Sequence, residues 1–365
     1  MENMGVKGLE FYSGKRVFIT GHTGFKGSWL TMILKNAGAA VTGLSLEPPT
    51  EPSLFETAGT GNDMESYICD IRDYEKLSGI FASARPEIVF HLAAQPIVRT
   101  SYAEPRLTYE TNVMGTVNIL ECVRNSDTVR SFLNVTTDKV YLNNDLNIAF
   151  SEDMQLDGYD PYSNSKSCSE LATHSYRKSF FSGDPEAPGI STARAGNVIG
   201  GGDFAKDRII PDCVRAAMAH EDIIIRNPSS TRPFQHVLEP LFAYLMIAEK
   251  QYMDRKYAGW YNVGPETEDC VTAGTIADMF VKYWGEGLRW VDRSDGGPHE
   301  ASFLRLDCTK LKEVFGWRPS WHIEKAIEET VRWSRLYAEK ADAAAIRDEM
   351  EKEIKEFADN VRRND

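Results

Sequence analysis

The stretch VFITGHTGFKG, residues 17–27, decides the fold of this chain. An apolar run typical of a β-strand ends in glycines with GxxGxxG spacing, and a helical pattern follows. Glycine permits positive φ angles and close backbone approach, while the start of a helix offers free N–H groups and a positive dipole end. The stretch therefore predicts a cradle for the diphosphate of a dinucleotide. Tight packing of a strand on a helix also favours glycine, so the flanking patterns carry much of this inference.

Short β-branched runs alternate with helical patterns along the first half of the chain. We expect strands over residues 16–20, 41–45, 66–69, 87–93, 131–136 and 191–195. Helices are expected from about residue 26, near 112–125, and over 163–181. Because parallel strands need crossover connections, this alternation predicts an α/β fold with a doubly wound parallel sheet of the Rossmann type.

The length of 365 residues exceeds what one hydrophobic core usually serves, so we expect a second, smaller unit. Glycine and proline clusters separate shorter elements after residue 195. We predict a dinucleotide-binding Rossmann domain over 14–195 and a C-terminal α/β substrate-binding lobe over 196–345, with some chain returning to the first domain. A charged helical tail over 346–365 is expected to be solvated.

Composition excludes several classes of partner. The net charge of -13, with no basic cluster among aromatic residues, argues against nucleic acid. No apolar run approaches the roughly 20 residues of a membrane helix, and the chain start lacks the features of a secretory signal, so a cytoplasmic location without membrane contact is expected. The six cysteines lack CxxC spacing, which predicts reduced thiols and no metal site.

Tyr162 and Lys166 lie four residues apart, hence on one face of a predicted helix. A tyrosine with a pKa near 10 is a poor base at neutral pH, and lowering that pKa by about 3 units requires roughly 4 kcal/mol. A nearby ammonium and a nicotinamide cation can supply it. YxxxK is common by chance, and a solvated face is the simpler interpretation of the spacing alone. The position after a glycine-turn sheet favours a catalytic role.

Three polar residues, Thr137, Asp138 and Lys139, follow the strand expected at 131–136. Ligands of open α/β sheets bind at the carboxyl ends of the strands, which is where this segment lies. A plain polar turn, with Asp138 capping a helix and Lys139 in solvent, explains the spacing equally well.

Several motifs occur together in a fixed order: the glycine turn, HLAAQ at 91–95, TN at 111–112, TDKVY at 137–141 and YSNSK at 162–166. From about residue 15 to 338 the chain resembles the extended short-chain dehydrogenase/reductases that act on nucleotide sugars. TGHTGFKGSW at 20–29 and STRPFQHV at 230–237 resemble the CDP-glucose 4,6-dehydratases of that superfamily. The resemblance implies NAD as cofactor, CDP-glucose or a related nucleotide sugar as substrate, and a homodimer or homotetramer.

The same resemblance implies residue roles. Tyr162 takes the proton of the C4 hydroxyl, Thr137 hydrogen-bonds the reacting oxygen, and Lys166 orients the cofactor and tunes Tyr162. The elimination that follows needs an acid and a base of different proton affinity, for which Asp138 and Lys139 are the candidates. Related dTDP-sugar dehydratases carry a glutamate in place of Lys139. A lysine is a base only when neutral, a state that burial and a cation such as Lys166 promote.

Binding residues are assigned by the same comparison of motifs. Those expected at the cofactor, besides Tyr162 and Lys166, are Gly21, Thr23, Gly24, Phe25, Lys26, Gly27, Ser45, Asp70, Ile71, Leu92, Ala93, Ala94 and Asn112. Those expected at the substrate are Gln95, Ser101, Asn197, Arg208 and Arg232, with residues 194–197 resembling the family's sugar-diphosphate segment.

Some assignments stay open on the residues alone. The second strand ends at Ser45, where neither an acid for the ribose 2′-hydroxyl of NAD nor an arginine for a 2′-phosphate is present, so the sequence leaves NAD and NADP open. The side chain of His22 either turns to solvent or touches the cofactor. Asp70 and Ile71 either receive the adenine or form an ordinary turn.

Two other functions compete with dehydration. A 4-epimerase, or a dehydratase of another nucleotide sugar, would share Tyr162 and Lys166, but an epimerase has no need of an acid and a base at C6 and C5. The pair Asp138 and Lys139 argues against the epimerase. A non-catalytic dinucleotide sensor is disfavoured by the presence of Thr137, Tyr162 and Lys166 together.

Overall fold

Seven parallel strands form the central sheet of the computed structural model, which describes residues 8–144, 148–293 and 304–363. From edge to edge they are β3 (Glu65–Ile68), β2 (Ala40–Ser45), β1 (Arg16–Thr20), β4 (Ile88–His91), β5 (Ser131–Val135), β6 (Gly189–Ala195) and β11 (Trp260–Val263). The six predicted strands are all present, with ends that differ by at most two residues. The predicted Rossmann sheet is confirmed, and β11 is the part of the chain that returns to it.

The remaining strands form three small pairs in the second half of the chain. They are β7 (Val198–Ile199) with β10 (Gln235–His236), β8 (Ile223–Ile225) with β13 (Trp290–Asp292), and β9 (Thr231–Pro233) with β12 (Cys270–Thr272). A separate apolar core lies around them and includes Ile210, Ile223 and Phe280. This core supports a second lobe, whose boundaries stay a prediction.

Helices cover both faces of the sheet and complete the lobe. They are α1 (Phe25–Asn36), α2 (Leu54–Thr57), α3 (Tyr74–Ala84), α4 (Val98–Ala103), α5 (Pro105–Tyr109), α6 (Gly115–Arg124), α7 (Pro161–Tyr176), α8 (Ile209–Met218), α9 (Leu238–Met253), α10 (Ala273–Trp284), α11 (Thr309–Phe315), α12 (Ile323–Ala338) and α13 (Ala343–Arg363). Among the helices described, none has the length and apolar character needed to cross a bilayer.

Burial on both sides explains why the central strands are apolar throughout. Along β1, Val17 and Ile19 pack into the core on one face and Phe18 into the core on the other. The start of α7 is fixed locally: the Asp160 side chain accepts a hydrogen bond from the Ser163 N–H, and proline occupies the first helical position. The buried strand and the helix cap together fix the positions of the glycine turn after β1 and of Tyr162 at the start of α7.

The C-terminal helix α13 is not a solvated tail, so that prediction is wrong. Ile346, Met350, Ile354 and Phe357 are at most 1% exposed and belong to the main core. Their spacing of three or four residues places them in one apolar stripe along the helix. Composition alone does not show this stripe, because many charged residues lie between its members. The tail is therefore a structural part of the first core.

Gly27 provides a test of the predicted turn. A Cβ atom at this position would lie 2.1 Å from the Gly21 carbonyl oxygen, whereas one at Gly79, inside α3, would meet nothing within 4 Å. We expect Gly27→Ala to destabilise the fold by about 1–3 kcal/mol through overpacking. Gly79→Ala, the matched control, should stabilise it by about 0.5–1 kcal/mol. Urea unfolding measures both, and a wild-type midpoint for Gly27→Ala would contradict the close approach.

Candidate active site

The glycine turn between β1 and α1 is shaped by backbone contacts that exclude side chains. Gly21 has a φ of +81°, and a Cβ atom there would lie 2.8 Å from the Ala93 nitrogen. Gly24 precedes α1 in extended conformation. The first turn of any helix leaves N–H groups without intrahelical partners, and here the chain around them is bare. The turn thus has the form and the donors that a diphosphate requires.

Hydroxyl groups tie this turn to the neighbouring strand ends. Thr23 Oγ1 lies 2.8 Å from Ser45 Oγ and donates to the Leu46 carbonyl at 2.9 Å. On the other side, the N–H groups of Leu92 and Ala93 both donate to Thr20 Oγ1 at 3.2 Å. The predicted cofactor residues from β1, β2 and β4 therefore meet at one edge of the sheet.

His22 follows neither of the two alternatives considered for it. Its side chain is wholly buried, with Nε2 2.7 Å from Ser66 Oγ, and its ring lies against Gly43, where a Cβ atom would come within 2.4 Å. Burial lowers the pKa of the imidazole to about 4, so the ring is neutral. His22 turns away from the cradle and fills space between β2 and β3.

Asp70 and Ile71 lie at the turn after β3, as expected, but part of their polar capacity is used. The Asp70 carboxylate pairs with Arg72 at 2.6 Å, and hydrogen bonding to that guanidinium lowers its pKa. The Ile71 carbonyl accepts a hydrogen bond from Asn118 at 3.0 Å. A contact of Asp70 with adenine stays a prediction that requires it to share or leave Arg72.

Asn112 and Gln95 are joined by two hydrogen bonds. Asn112 Oδ1 accepts from the Gln95 N–H at 2.8 Å, and its amide nitrogen donates to the Gln95 carbonyl at 3.1 Å and to Ser165 Oγ at 2.9 Å. The Gln95 side chain donates to Thr108, while Ser101, fully buried, donates to the Val98 carbonyl. In this structure these three predicted binding side chains support the wall of the site rather than face into it.

Tyr162 stands at the start of α7, where the site residues converge. Its side chain is nearly buried. Burial raises the pKa of the phenol above its ordinary value, while the Lys139 ammonium and a hydrogen bond with Thr137 act in the opposite direction. Lys139 is thus the cation that lowers the phenol's pKa most, and Arg208 acts in the same direction. The effect of Lys166 on Tyr162 stays a prediction.

Asp138 and Lys139 form a close pair beside this tyrosine. Asp138 Oδ1 accepts from Lys139 Nζ and from Thr137 Oγ1, both at 3.0 Å. Asp138 Oδ2 is buried and has no hydrogen-bond partner among the described residues. Burial opposes the charge of Lys139, but Asp138 and Tyr162 outweigh it and raise the lysine's pKa. Lys139 is therefore charged in this arrangement, and its role as a base stays a prediction.

Two other lysines share the cleft. Lys166 Nζ donates to the Val135 carbonyl at 3.0 Å, and burial lowers its pKa to about 8 although Glu170 opposes that change. Lys26, on the first turn of α1, has its pKa lowered to about 7 by burial and by the positive charge of Arg208. Both amines thus have pKa values well below that of an ordinary lysine.

Three residues predicted at the substrate lie near the Tyr162 centre, and their role in binding stays a prediction. Asn197 Oδ1 accepts from Lys139 at 3.4 Å, the charge of Arg208 acts on Tyr162 and Lys26, and that of Arg232 acts on Lys139. Arg208 also pairs with Asp203 at 3.0 Å. Within the segment 194–197, Arg194 lies apart from the cleft because it is wholly buried.

Sequence reasoning missed two residues near this centre. Tyr244 on α9 is fully buried, its hydroxyl lacks a partner in the described part of the chain, and Lys26 Nζ lies 5.9 Å from its ring centroid. No local pattern marks it. Glu170, which acts on Lys166, was detectable because it follows that lysine by one helical turn.

Known proteins resemble this chain over most of its length. A family model described as GDP-mannose 4,6 dehydratase matches residues 18–330. The chain is 47% identical over 331 residues to the CDP-glucose 4,6-dehydratase of Salmonella typhimurium, covering 90% of this chain and 92% of that protein. It is 26% identical to dTDP-glucose 4,6-dehydratase 1 of Escherichia coli, with 87% and 92% covered.

Solved structures share the fold at lower identity. A UDP-glucose 4-epimerase from Thermotoga maritima superposes with a TM-score of 0.74 at 22% identity, covering 88% of this chain and 99% of that one. A dTDP-glucose 4,6-dehydratase from Bacillus anthracis in complex with NAD gives 0.71 at 20% identity, covering 88% and 97%. With the family match over residues 18–330, the resemblance seen in the sequence is confirmed, and the chain belongs to the GDP-mannose 4,6 dehydratase family.

Proposed function

We propose that the protein is an NAD-dependent CDP-glucose 4,6-dehydratase, which converts CDP-glucose to CDP-4-keto-6-deoxyglucose and water. The observation that carries the proposal is the 47% identity to the Salmonella enzyme along nearly the whole chain. The Asp138 and Lys139 pair beside Tyr162 supports dehydration, because it adds to the oxidation site the two proton-transfer groups that an elimination needs.

NAD fits the cradle at Gly21 and Gly27, where a side chain would collide with the backbone. When bound, NAD would supply reversible hydride transfer between C4 and C6 of the sugar, with no net formation of NADH. Residues of the first turn of α1 would hold its diphosphate. Lys166, fixed by its bond to the Val135 carbonyl, would orient the nicotinamide end.

Tyr162 would take the proton of the C4 hydroxyl as that carbon is oxidised. Thr137, which hydrogen-bonds the phenol, would share its hydroxyl with the reacting oxygen. Because burial raises the pKa of Tyr162, the positive charge of Lys139 is needed to bring the phenolate within reach. This step leaves a ketone at C4, which acidifies the proton at C5.

A proton shift inside the Asp138 and Lys139 pair would supply both groups for the elimination. Moving one proton along their 3.0 Å hydrogen bond converts an ion pair into a neutral amine and a carboxylic acid. Once Tyr162 has taken the C4 proton, its phenolate no longer holds the charge of Lys139. Exclusion of water by substrate then favours the uncharged form of the pair, because separated charges are costly in a low dielectric. This state restores the roles expected of Lys139 as base and Asp138 as acid.

The number of protons gained and lost balances in this scheme. Neutral Lys139 removes the C5 proton, and protonated Asp138 gives its proton to the departing C6 hydroxyl, which leaves as water. Lys139 returns a proton to C5 when hydride reaches C6. The proton that Tyr162 gained from the C4 hydroxyl equals the one that Asp138 lost, so the site regains its starting state through proton exchange.

The substrate diphosphate would lie among Asn197, Arg208 and Arg232. A planar guanidinium matches phosphate oxygens in two parallel hydrogen bonds, and Arg208 would exchange its carboxylate partner Asp203 for the phosphate. The choice of cytosine rests on the Salmonella relative alone.

The protein would act as a homodimer or homotetramer in the cytoplasm. Met114, Leu171 and Phe180 are 50%, 52% and 50% exposed on or beside α6 and α7, an apolar surface that suits burial against a second copy. The six cysteines are free thiols, which fits a reducing compartment.

A direct test incubates the purified protein with CDP-glucose and, in parallel, with dTDP-glucose, UDP-glucose and GDP-mannose. We expect the alkali-induced ultraviolet absorbance of a 4-keto-6-deoxy sugar from CDP-glucose, with no net NADH because hydride is returned to C6. Conversion of CDP-glucose to a C4 epimer, or turnover of another sugar only, would overturn the proposal.

Tyr162→Phe should lower kcat for dehydration by roughly 10²–10⁴-fold, because the proton acceptor at the C4 hydroxyl is lost. Tyr176→Phe is the matched control, since Tyr176 lies on the same helix with its hydroxyl on Glu121, away from the cleft. Its kcat should stay near wild type. Equal losses in both variants would point to a damaged helix instead of a missing proton acceptor.

Lys139→Met separates oxidation from elimination. Solvent deuterium incorporation at C5 should fall by about 10²-fold or more, because the base is gone. Loss of the positive charge should slow C4 oxidation as well, because the pKa of Tyr162 rises, but at alkaline pH, where Tyr162 ionises, oxidation should outpace elimination. Bound NADH should therefore accumulate there and be visible by its near-ultraviolet absorbance. Full-rate exchange at C5 in this variant would remove Lys139 from the base role.

A further inference from the structure

We propose that Glu170 is a positioning residue of the active site: a fixed negative charge, held ionised by Arg194, that keeps Lys166 in its ammonium form. The inference deepens the proposed function, and its kinetic test rests on that function. Its direct test, the titration of Lys166 without substrate, does not.

Glu170 lies on α7, four residues after Lys166, and is fully buried. Its Oε1 accepts a hydrogen bond from Thr136 Oγ1, and its Oε2 accepts from Thr192 Oγ1 at 2.7 Å. Thr136 is the residue directly before the catalytic Thr137 and Asp138. Glu170 therefore connects α7, which carries Tyr162 and Lys166, to the strand end that precedes Asp138 and Lys139.

Arg194, on β6, forms a buried ion pair with this carboxylate and holds it ionised. It is wholly buried, and its NH2 donates to Glu170 Oε2 at 2.9 Å, while its NH1 donates to the Tyr141 hydroxyl at 2.8 Å and to the Glu152 carbonyl at 2.9 Å. Burial alone would raise the pKa of Glu170, but Arg194, with bonds from His174 and Thr136, brings it down to about 2. Glu170 is thus charged at every working pH.

Lys166 is the cation on which this charge acts. Burial lowers the pKa of Lys166 to about 8, and Glu170 is the group that opposes the decrease. The other ionisable groups that interact with Lys166 are Lys26 and His91; Lys26 disfavours a second cation nearby, and His91 is neutral because burial lowers its pKa to about 3. Without the charge of Glu170, the pKa of Lys166 would fall further and the amine would lose its proton near neutral pH.

A purely structural role explains this pair poorly. Buried ion pairs contribute little net stability compared with apolar residues of similar size, because desolvation offsets their attraction. Three donors converge on Glu170, and His174 Nε2 lies 3.2 Å from the same carboxylate. The arrangement therefore points to control of charge at Lys166.

The direct experiment measures the titration of Lys166 by competitive trace acetylation along a pH series, followed by peptide mass spectrometry, with no substrate present. In Glu170→Gln the midpoint for Lys166 should fall by roughly one pH unit. Glu170→Asp keeps the charge and should stay near wild type. Thr192→Val, the matched control, removes a hydrogen bond to the same carboxylate but no charge, and should leave the midpoint in place.

The kinetic arm follows the alkaline limb of kcat/KM for CDP-glucose, which should move to lower pH in Glu170→Gln by the same amount as the acetylation midpoint. A wild-type protein inactive on CDP-glucose would defeat the proposed function but leave the acetylation result to decide the role of Glu170.

An unchanged Lys166 midpoint in Glu170→Gln, or an equal shift in Thr192→Val, would overturn the inference. Should Glu170→Gln fail to fold because Arg194 is left unpaired, the double variant Glu170→Gln with Arg194→Gln removes both buried charges. A smaller fall in the Lys166 midpoint than in Glu170→Gln alone is expected there, because the opposing positive charge of Arg194 is removed as well. A midpoint at or above the wild-type value in that variant overturns the inference.

Discussion

The chemistry of this protein depends on positive charge crowded around one buried carboxylate. Lys139 is paired with Asp138 at 3.0 Å, and Lys26, Arg208 and Arg232 all act on the same small group of residues. Like charges in a low dielectric repel, so each amine that lacks a carboxylate becomes easier to deprotonate. Burial lowers the pKa values of Lys26 and Lys166, with Arg208 adding to the effect at Lys26, whereas the charges of Asp138 and Tyr162 raise that of Lys139. An acidic chain with a net charge of -13 thus keeps a local site suited to diphosphates.

The fold produces this crowding through the geometry of parallel strands. The carboxyl ends of β1, β4, β5 and β6 meet at one edge, and the starts of α1 and α7 lie against it. Helix starts favour anions, so the same edge that collects lysines also presents backbone donors to a diphosphate. Bare glycines at the turn allow the ligand to reach those donors. The site therefore needs few specialised residues, because the edge itself supplies much of the electrostatics.

What the sequence could predict was local. The glycine turn, the strands around it, and Tyr162 with Lys166 on one helix face follow from spacing within a few residues, and all agree with the structure. Features set by distant contacts were missed or reversed. His22 is buried because Ser66 and Gly43 happen to face it, and α13 is in the core because its apolar stripe meets the first domain. The charge of Lys139 depends on how near Asp138 and Tyr162 lie, which spacing does not determine.

This chain has Lys139 at a position where the resemblance implies a glutamate in dTDP-sugar dehydratases. The difference changes how protons can be transferred as well as the identity of the proposed base. Two adjacent carboxylates repel, so they separate into one acid and one base by sharing a proton. A carboxylate and an ammonium attract, so the pair of Asp138 and Lys139 rests as an ion pair. In that form Asp138 has no proton to give and Lys139 cannot accept one, whereas the elimination needs the opposite. Such a pair can act only if desolvation makes the neutral form competitive, which couples chemistry to the closing of substrate over the site. Water exclusion would then serve as a switch: the acid and the base come into existence only when the sugar that needs them is present.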